Sequence, residues 1–166
     1  MAEAPRHVQT LLPGQWAFVR SGALKTLLGS CVSILVWHRA RGYGGMCHYL
    51  LPSRQRRGGD ALDPRYGDEA MELMAQAMQR MGTRSNEYEA HLYGGADTLP
   101  DGVNMSFNVG ERNIEKGMEL ADQYGLNLVA VDVGDQVPRT VTLLIPEGKV
   151  RMVRGPSAKL PKPTLS

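Results

Sequence analysis

The run Cys31-Val32-Ser33-Ile34-Leu35-Val36-Trp37 is interrupted by a single polar side chain. Successive side chains of a β-strand point to opposite faces, so a strand apolar at odd and even positions alike must be covered on both. A chain built around such a strand cannot be an antiparallel sheet with one wet face; it needs packed layers on either side. Two further β-like segments flank it, Gln15-Trp16-Ala17-Phe18-Val19 and Tyr43 to Leu51. The second follows Arg39-Ala40-Arg41-Gly42, which reads as a short hairpin connection and predicts that 43–51 returns antiparallel beside 31–37.

From Asp68 the apolar period changes. Met71, Met74, Met78 and Met81 recur at three- and four-residue steps, which predicts a helix with Asp68 as cap and Gly82 as stop. Core packing by a flexible thioether accounts for that stripe. A second helix is expected from about Arg112 to Tyr124, with Ile114, Met118 and Ala121 facing inward and Gly117 weakening it. Leu126 to Val133, Arg139 to Ile145 and Val150 to Val153 read as strands, the last two joined by the turn Pro146-Glu147-Gly148-Lys149. The order of strands, helix, strand, helix and strands predicts one α/β domain, a mixed-sheet sandwich with helices packed on the sheet. It is expected to span 11–154, between a flexible N-terminal tail, 1–10, and a proline-bearing tail, 155–166.

A chain of 166 residues buries about two-thirds of its unfolded surface, so neither a metal nor a disulfide framework is needed to hold a core. The net charge of +2, from 19 basic and 17 acidic residues, gives no field that would favour nucleic acid as a partner. No apolar run approaches the ~18 residues of a membrane span, and Met1 to His7 lead into no apolar signal segment. The expected location is the cytoplasm, with no direct membrane insertion. The two cysteines, Cys31 and Cys47, form no metal knuckle and are expected to be free thiols.

Cys31 follows Leu28-Gly29-Ser30, so a small turn delivers it to the mouth of the central strand, where a side chain can face a cleft while its neighbours anchor it. The plain alternative is a small apolar residue opening a core strand. Of His7, His38, His48 and His91, only His48 lies in a predicted strand that follows a glycine pair, Gly44-Gly45, and returns beside Cys31. In that hairpin the two become cross-strand neighbours, an arrangement that can hold a thiolate and leave an imidazolium to protonate a leaving group. A buried, hydrogen-bonded core histidine is the other reading. Cys47 adjoins His48 in sequence, points to the opposite face and is expected in the core. Gly94-Gly95-Ala96 and Asn108-Val109-Gly110-Glu111-Arg112-Asn113 are glycine-bearing junctions. Either could turn N–H groups toward an oxyanion or serve only as a turn; neither is a phosphate-binding loop.

Four motifs carry a resemblance. Leu27-Leu28-Gly29-Ser30-Cys31-Val32, Gly44-Gly45-Met46-Cys47-His48-Tyr49-Leu50-Leu51-Pro52, Tyr93-Gly94-Gly95-Ala96 and Asn108 to Asn113 occur in the order found in the CheD family of chemoreceptor glutamine deamidases, which the chain resembles from roughly Gln15 to Val153. The resemblance implies a cysteine hydrolase, free of metal and organic cofactor, on an α/β sandwich similar to that of bacterial toxin deamidases. Its implied substrates are glutamine side chains in the cytoplasmic helical region of methyl-accepting chemotaxis receptors, converted to glutamate. Receptor glutamate methyl esters present the same kind of acyl carbon. Cys31 corresponds to the nucleophile and His48 to its base, and Thr26 is the threonine that stands where the family has its third member. Backbone groups of Gly29, Ser30, Gly94 and Gly95 are the candidates for holding the oxyanion and the substrate. Near the C-terminus, Gly134-Asp135 and Pro138-Arg139 replace a glycine pair followed by Gly-Arg. The family also allows a non-catalytic adaptor that docks on receptors or on a CheC-type phosphatase. A cysteine peptidase or transglutaminase-like acyl transferase would use the same pair with another acceptor. Finally, Arg54, Arg56 and Arg57 lie in a glycine-rich loop directly after the His48 strand and are expected to steer an acidic receptor helix toward Cys31, if they are more than a solvated connection.

Overall fold

The computed structural model describes residues 6–97 and 108–155. In chain order these form β1 (Val8–Leu11), β2 (Trp16–Val19), β3 (Gly22–Leu28), β4 (Val32–Trp37), β5 (Gly44–Cys47), α1 (Gly67–Arg80), β6 (Glu89–Gly94), α2 (Val109–Gln123), β7 (Asn127–Val133), β8 (Arg139–Ile145) and β9 (Lys149–Arg154). The strands make two mixed sheets, one of order β1-β3-β8-β9 and one of order β2-β5-β4-β6-β7.

The apolar run of the central strand is covered twice. Leu35 of β4 joins Met46, Ala17 and Tyr93 against Leu11, Leu24, Leu28, Val141, Leu143 and Ile145 of the other sheet. Ile34 and Val36 face the other way, and with Cys47, Tyr49, Ala90 and Leu92 they meet Met71, Met74 and Met78 of α1 and Leu120 and Ala121 of α2. The molecule is therefore three layers deep: sheet, sheet, helices. The chain is an α/β sandwich as expected, but the helices cover only the β4-containing sheet, and a second sheet forms its other cover. That second sheet depends on β3, which sequence periodicity did not mark. Its inward Leu24, Thr26 and Leu28 alternate with Lys25 and Leu27, and an outward leucine, 51% exposed, hides the alternation.

Residues 8–10, expected to belong to a flexible tail, instead form most of β1, paired parallel with β3. Only Leu11 of this edge strand is buried, so backbone hydrogen bonding holds it and side-chain periodicity carries no signal. The terminal segments 1–5 and 156–166 lie outside the described residues.

Asp68 lies within the first turn of α1 and does not cap it; the position before the helix is Tyr66, which makes no side-chain capping bond. Gly82 follows the helix with φ of 78°, as a stop requires. α2 begins earlier than expected because the Asn108 side chain accepts the Glu111 N–H at 3.0 Å. Its inner face also differs: Gly110, Asn113, Gly117, Leu120 and Ala121 are buried, while Met118 is 44% exposed. Gly117 serves close packing, since a Cβ there would lie 2.6 Å from a methyl of Leu92 and 2.9 Å from the Tyr49 hydroxyl.

Candidate active site

The hairpin register sets the site. Leu35, Val36 and Trp37 pair with Met46, Gly45 and Gly44, and Val32 and Tyr49 exchange two hydrogen bonds of 3.1 and 3.0 Å. The same register sets Ser33 opposite His48 and Cys31 opposite Leu50. Cys31 and His48 are thus diagonal neighbours on one face of the sheet, displaced by one ladder step from the directly opposed pair. That face looks into the gap between the sheets, where half-buried Cys31 packs against the inter-sheet cluster. Cys47 is buried on the opposite, helix-covered face, and burial pushes its thiol up to about 12. It is a core residue.

Across the gap, Thr26 of β3 meets His48. Thr26 Oγ1 lies 2.7 Å from His48 Nδ1 and donates its own proton to the Leu11 carbonyl at 2.8 Å. A hydroxyl has one proton, so Oγ1 must accept from Nδ1–H. His48 therefore keeps its proton on Nδ1, and the lone pair of Nε2 is free. Nε2 is buried and has no hydrogen-bond partner among the described residues, and neither has Ser33 Oγ on the facing strand.

Burial raises the Cys31 thiol pKa and lowers that of His48 to about 4. Both shifts favour the uncharged forms, and a threonine on Nδ1 supplies no negative charge to hold an imidazolium. Burial therefore favours thiol and neutral imidazole as the resting forms. The thiolate–imidazolium pair expected from the sequence is thus opposed by burial, which acts on both groups.

The turn before Cys31 is held from outside at three successive carbonyls. Ala96 N–H donates to Gly29 at 2.9 Å, Asn113 Nδ2 to Ser30 at 3.2 Å, and Gly95 N–H to Cys31 at 2.9 Å. Among the described residues, the N–H groups of Ser30 and Cys31 meet no acceptor. Gly94 admits this approach because a Cβ on it, at φ of 112°, would lie 2.2 Å from the Cys31 carbonyl oxygen. Gly95, expected to offer its N–H to an oxyanion, offers it to that carbonyl. The two glycines thus hold the Cys31 backbone.

Residues 50–154 match the family model described as CheD chemotactic sensory transduction. The "Probable chemoreceptor glutamine deamidase CheD 1" of Chromobacterium violaceum is 40% identical over 161 residues, covering 96% of this chain and 83% of that protein. The chain belongs to the CheD family. An alignment covering that share of the chain necessarily includes the Thr26–His48 segment. A CheD of Pseudomonas fluorescens is 42% identical over 143 residues, with 84% of this chain and 80% of that protein covered. One from Thermococcus kodakarensis is 35% identical over 142 residues, with 85% and 88% covered. Both carry the printed name "Probable chemoreceptor glutamine deamidase CheD".

The three arginines of this CheD chain stand differently. Arg54 donates from Nε and Nη2 to the two carboxylate oxygens of Glu69, both at 2.9 Å, and from Nη2 to the Ala61 carbonyl at 3.0 Å. The Glu69 side chain is only 2% exposed, and the Arg54 hydrogen bond holds its carboxyl below the usual range. Arg54 therefore fastens the loop to α1, and its charge is neutralised there. Arg56 reaches the Asp60 carbonyl at 2.9 Å and Glu69 at 3.8 Å; Arg57 is held through its backbone N–H by Asp60 at 3.0 Å.

Sequence reasoning missed two buried polar residues. Arg139 of β8 donates to Asp132 at 2.8 Å and to the Gly94 and Val137 carbonyls at 3.4 and 3.3 Å. It pairs in register with Leu28, so it pins the two sheets at the end where Cys31 emerges. Asn113 was noticed only as part of a glycine-bearing motif, although a polar residue on the inward face of α2 is itself a signal. A groove of about 300 Å³, lined by Leu51, Pro52, Ser53, Val109 and Arg112, runs beside the segment that leaves His48. Among the described residues no three His, Cys, Asp or Glu side chains are grouped as a metal would require. No described helix is long and apolar enough to cross a membrane.

Proposed function

We propose that this chain is a cysteine-dependent protein-glutamine deamidase acting on the cytoplasmic helices of methyl-accepting chemotaxis receptors. The observation that carries the reading is the Thr26–His48 hydrogen bond, which leaves Nε2 as a proton acceptor on the face that Cys31 shares. Family membership and the names of the relatives supply the substrate class.

His48 Nε2 takes the thiol proton as Sγ attacks the carboxamide carbon. The carbonyl oxygen becomes an oxyanion facing the N–H groups of Ser30 and Cys31, while Gly29 gives the turn its small profile. The imidazolium then returns the proton to the amide nitrogen, the C–N bond breaks and ammonia leaves a thioester. Water, deprotonated by Nε2, attacks the thioester; glutamate and the free thiol result. A methyl ester would follow the same course with methanol as leaving group. The neutral pair suits this order, because the thiol proton moves to Nε2 only as Sγ attacks, so burial never has to hold a standing ion pair.

The functional setting in this reading is the cytoplasm. Arg56 and Arg57 remain as the steering charges, and a CheC-type phosphatase is a possible regulatory partner. The test is mass spectrometry of a co-expressed receptor fragment. Glutamine-to-glutamate shifts that require Cys31 support the reading, whereas receptor binding without turnover would leave a non-catalytic adaptor, and cross-linking or backbone cleavage an acyl transferase or peptidase.

A further inference from the structure

Asn113 is completely buried on α2, and its side-chain hydrogen bonds go to backbone carbonyls, not to the side chains of Cys31, His48 or Thr26. Its Nδ2 donates to the Ser30 carbonyl at 3.2 Å and to the Leu50 carbonyl at 2.8 Å. Both neighbours can only accept, so the NH2 end of the carboxamide is assigned without ambiguity and both of its protons are used. Oδ1 is left buried with no partner among the described residues. A leucine would fill this place on an apolar helix face with no such orphan, so packing alone does not account for an amide here.

Its location does. Beyond the Val32–Tyr49 pair the two strands diverge, and the Leu50 N–H turns to the Arg65 carbonyl. Asn113 spans that divergence, holding the residue before Cys31 and the residue opposite it. The Ser30 carbonyl and the Cys31 N–H belong to one peptide unit, which is planar and trans. A donor that fixes the direction of the Ser30 oxygen therefore fixes the Cys31 N–H in the opposite direction. Ala96 does the same, through Gly29, for the N–H of Ser30. Those two N–H groups are the ones that meet no acceptor among the described residues.

We propose that Asn113 is a positioning residue that aims the Cys31 N–H as an oxyanion donor, through its bond to the Ser30 carbonyl. The idea rests on the acyl-transfer reading above, but its test does not need the receptor. Two reagents react with the same thiol: p-nitrophenyl acetate acylates Cys31 through a tetrahedral oxyanion, whereas iodoacetamide alkylates it by direct displacement with none. In Asn113→Ala the acylation rate is expected to fall about 10- to 100-fold, since deleting an oxyanion donor outright costs about 10²–10³ and here the donor is only misdirected. The alkylation rate should stay within about twofold.

Asn113→Asp sets a carboxylate oxygen against two carbonyls and should behave like the alanine variant at pH 8. As pH falls toward 5 the acid protonates and can again donate, so acylation relative to alkylation should recover in this variant alone. Tyr49→Phe is the control. It removes the 2.6 Å bond from the Tyr49 hydroxyl to the Asn113 backbone carbonyl, loosening the seat of α2 without touching the carboxamide, and both rates should hold. Acylation and alkylation falling in step, or neither changing, overturns the proposal. So does loss of folding in both Asn113 variants, which would make the residue a structural pin. If the wild-type protein acylates normally but releases no ammonia from receptor, the deamidase reading fails while the Asn113 comparison stands.

Discussion

Thr26 and His48 belong to different sheets, and the hydrogen bond between them, 2.7 Å long, runs in one direction because the threonine proton is already committed to Leu11. The His48 ring is thereby oriented by an uncharged acceptor.

Replacing Thr26 by valine keeps the shape and removes the acceptor. His48 Nδ1–H is then buried without a partner, which costs about 1–3 kcal/mol in stability. Turnover should fall at least tenfold, because the ring is no longer held with Nε2 as the free acceptor on the face that Cys31 shares. Serine at this position should restore most of both. Urea unfolding and ammonia release measure the two effects, and a valine variant with wild-type turnover would refute the role.

The two thiols should separate cleanly. Cys31→Ala should abolish deamidation and leave receptor binding intact. Cys47→Ser should keep turnover and lose about 1–3 kcal/mol of stability by burying a hydroxyl among apolar side chains. Because burial raises the Cys31 thiol pKa, its alkylation at pH 7 should be slow and climb steeply past pH 9. A rate that is already high and flat between pH 6 and 8 would indicate a preformed ion pair instead.

His48 links folding to pH. Its ordinary value is 6.5 and its folded value about 4. Above pH 6.5 neither the folded nor the unfolded chain protonates it, and its contribution to stability is complete. As pH falls toward 4 the unfolded chain binds a proton that the folded chain refuses, so stability is lost across that window. The loss is on the order of 3 kcal/mol. Unfolding measured from pH 7 to pH 4 should show a shallower decline in His48→Gln than in the parent, and equal slopes would contradict the buried neutral ring.

Within the basic loop, Arg54→Gln should chiefly destabilise, because it leaves the buried Glu69 carboxylate without its bidentate partner. Replacing Arg56 and Arg57 together should leave stability alone, lower kcat/KM on intact receptor and flatten its salt dependence. Thermal melts and kinetics at two ionic strengths distinguish the pairs. Unchanged kcat/KM at low salt would remove the steering role.

How much of this was legible in the sequence follows from what each element uses to hold itself. β4 announced two covered faces through its apolar run, and the methionine period gave α1 within a residue or two. β1 and the inner face of α2 were opaque because backbone pairing and glycine contacts hold them. At the site, the spacing of Cys31 and His48 put both on one face of the hairpin, and the resemblance supplied Thr26. The direction of the Thr26 bond, the neutral charge state and the grip of Asn113 depend on contacts between distant segments, which no local pattern encodes.

β1 illustrates the last point most sharply. Its Leu11 carbonyl oxygen, at the edge of the sheet that carries neither Cys31 nor His48, takes the Thr26 proton. Take that oxygen away and the Thr26 hydroxyl is free to rotate and donate to Nδ1. The imidazole proton then settles on Nε2, and the face shared with Cys31 meets a donor instead of an acceptor. A segment expected to be mostly flexible tail thus sets which nitrogen of the His48 ring carries the proton.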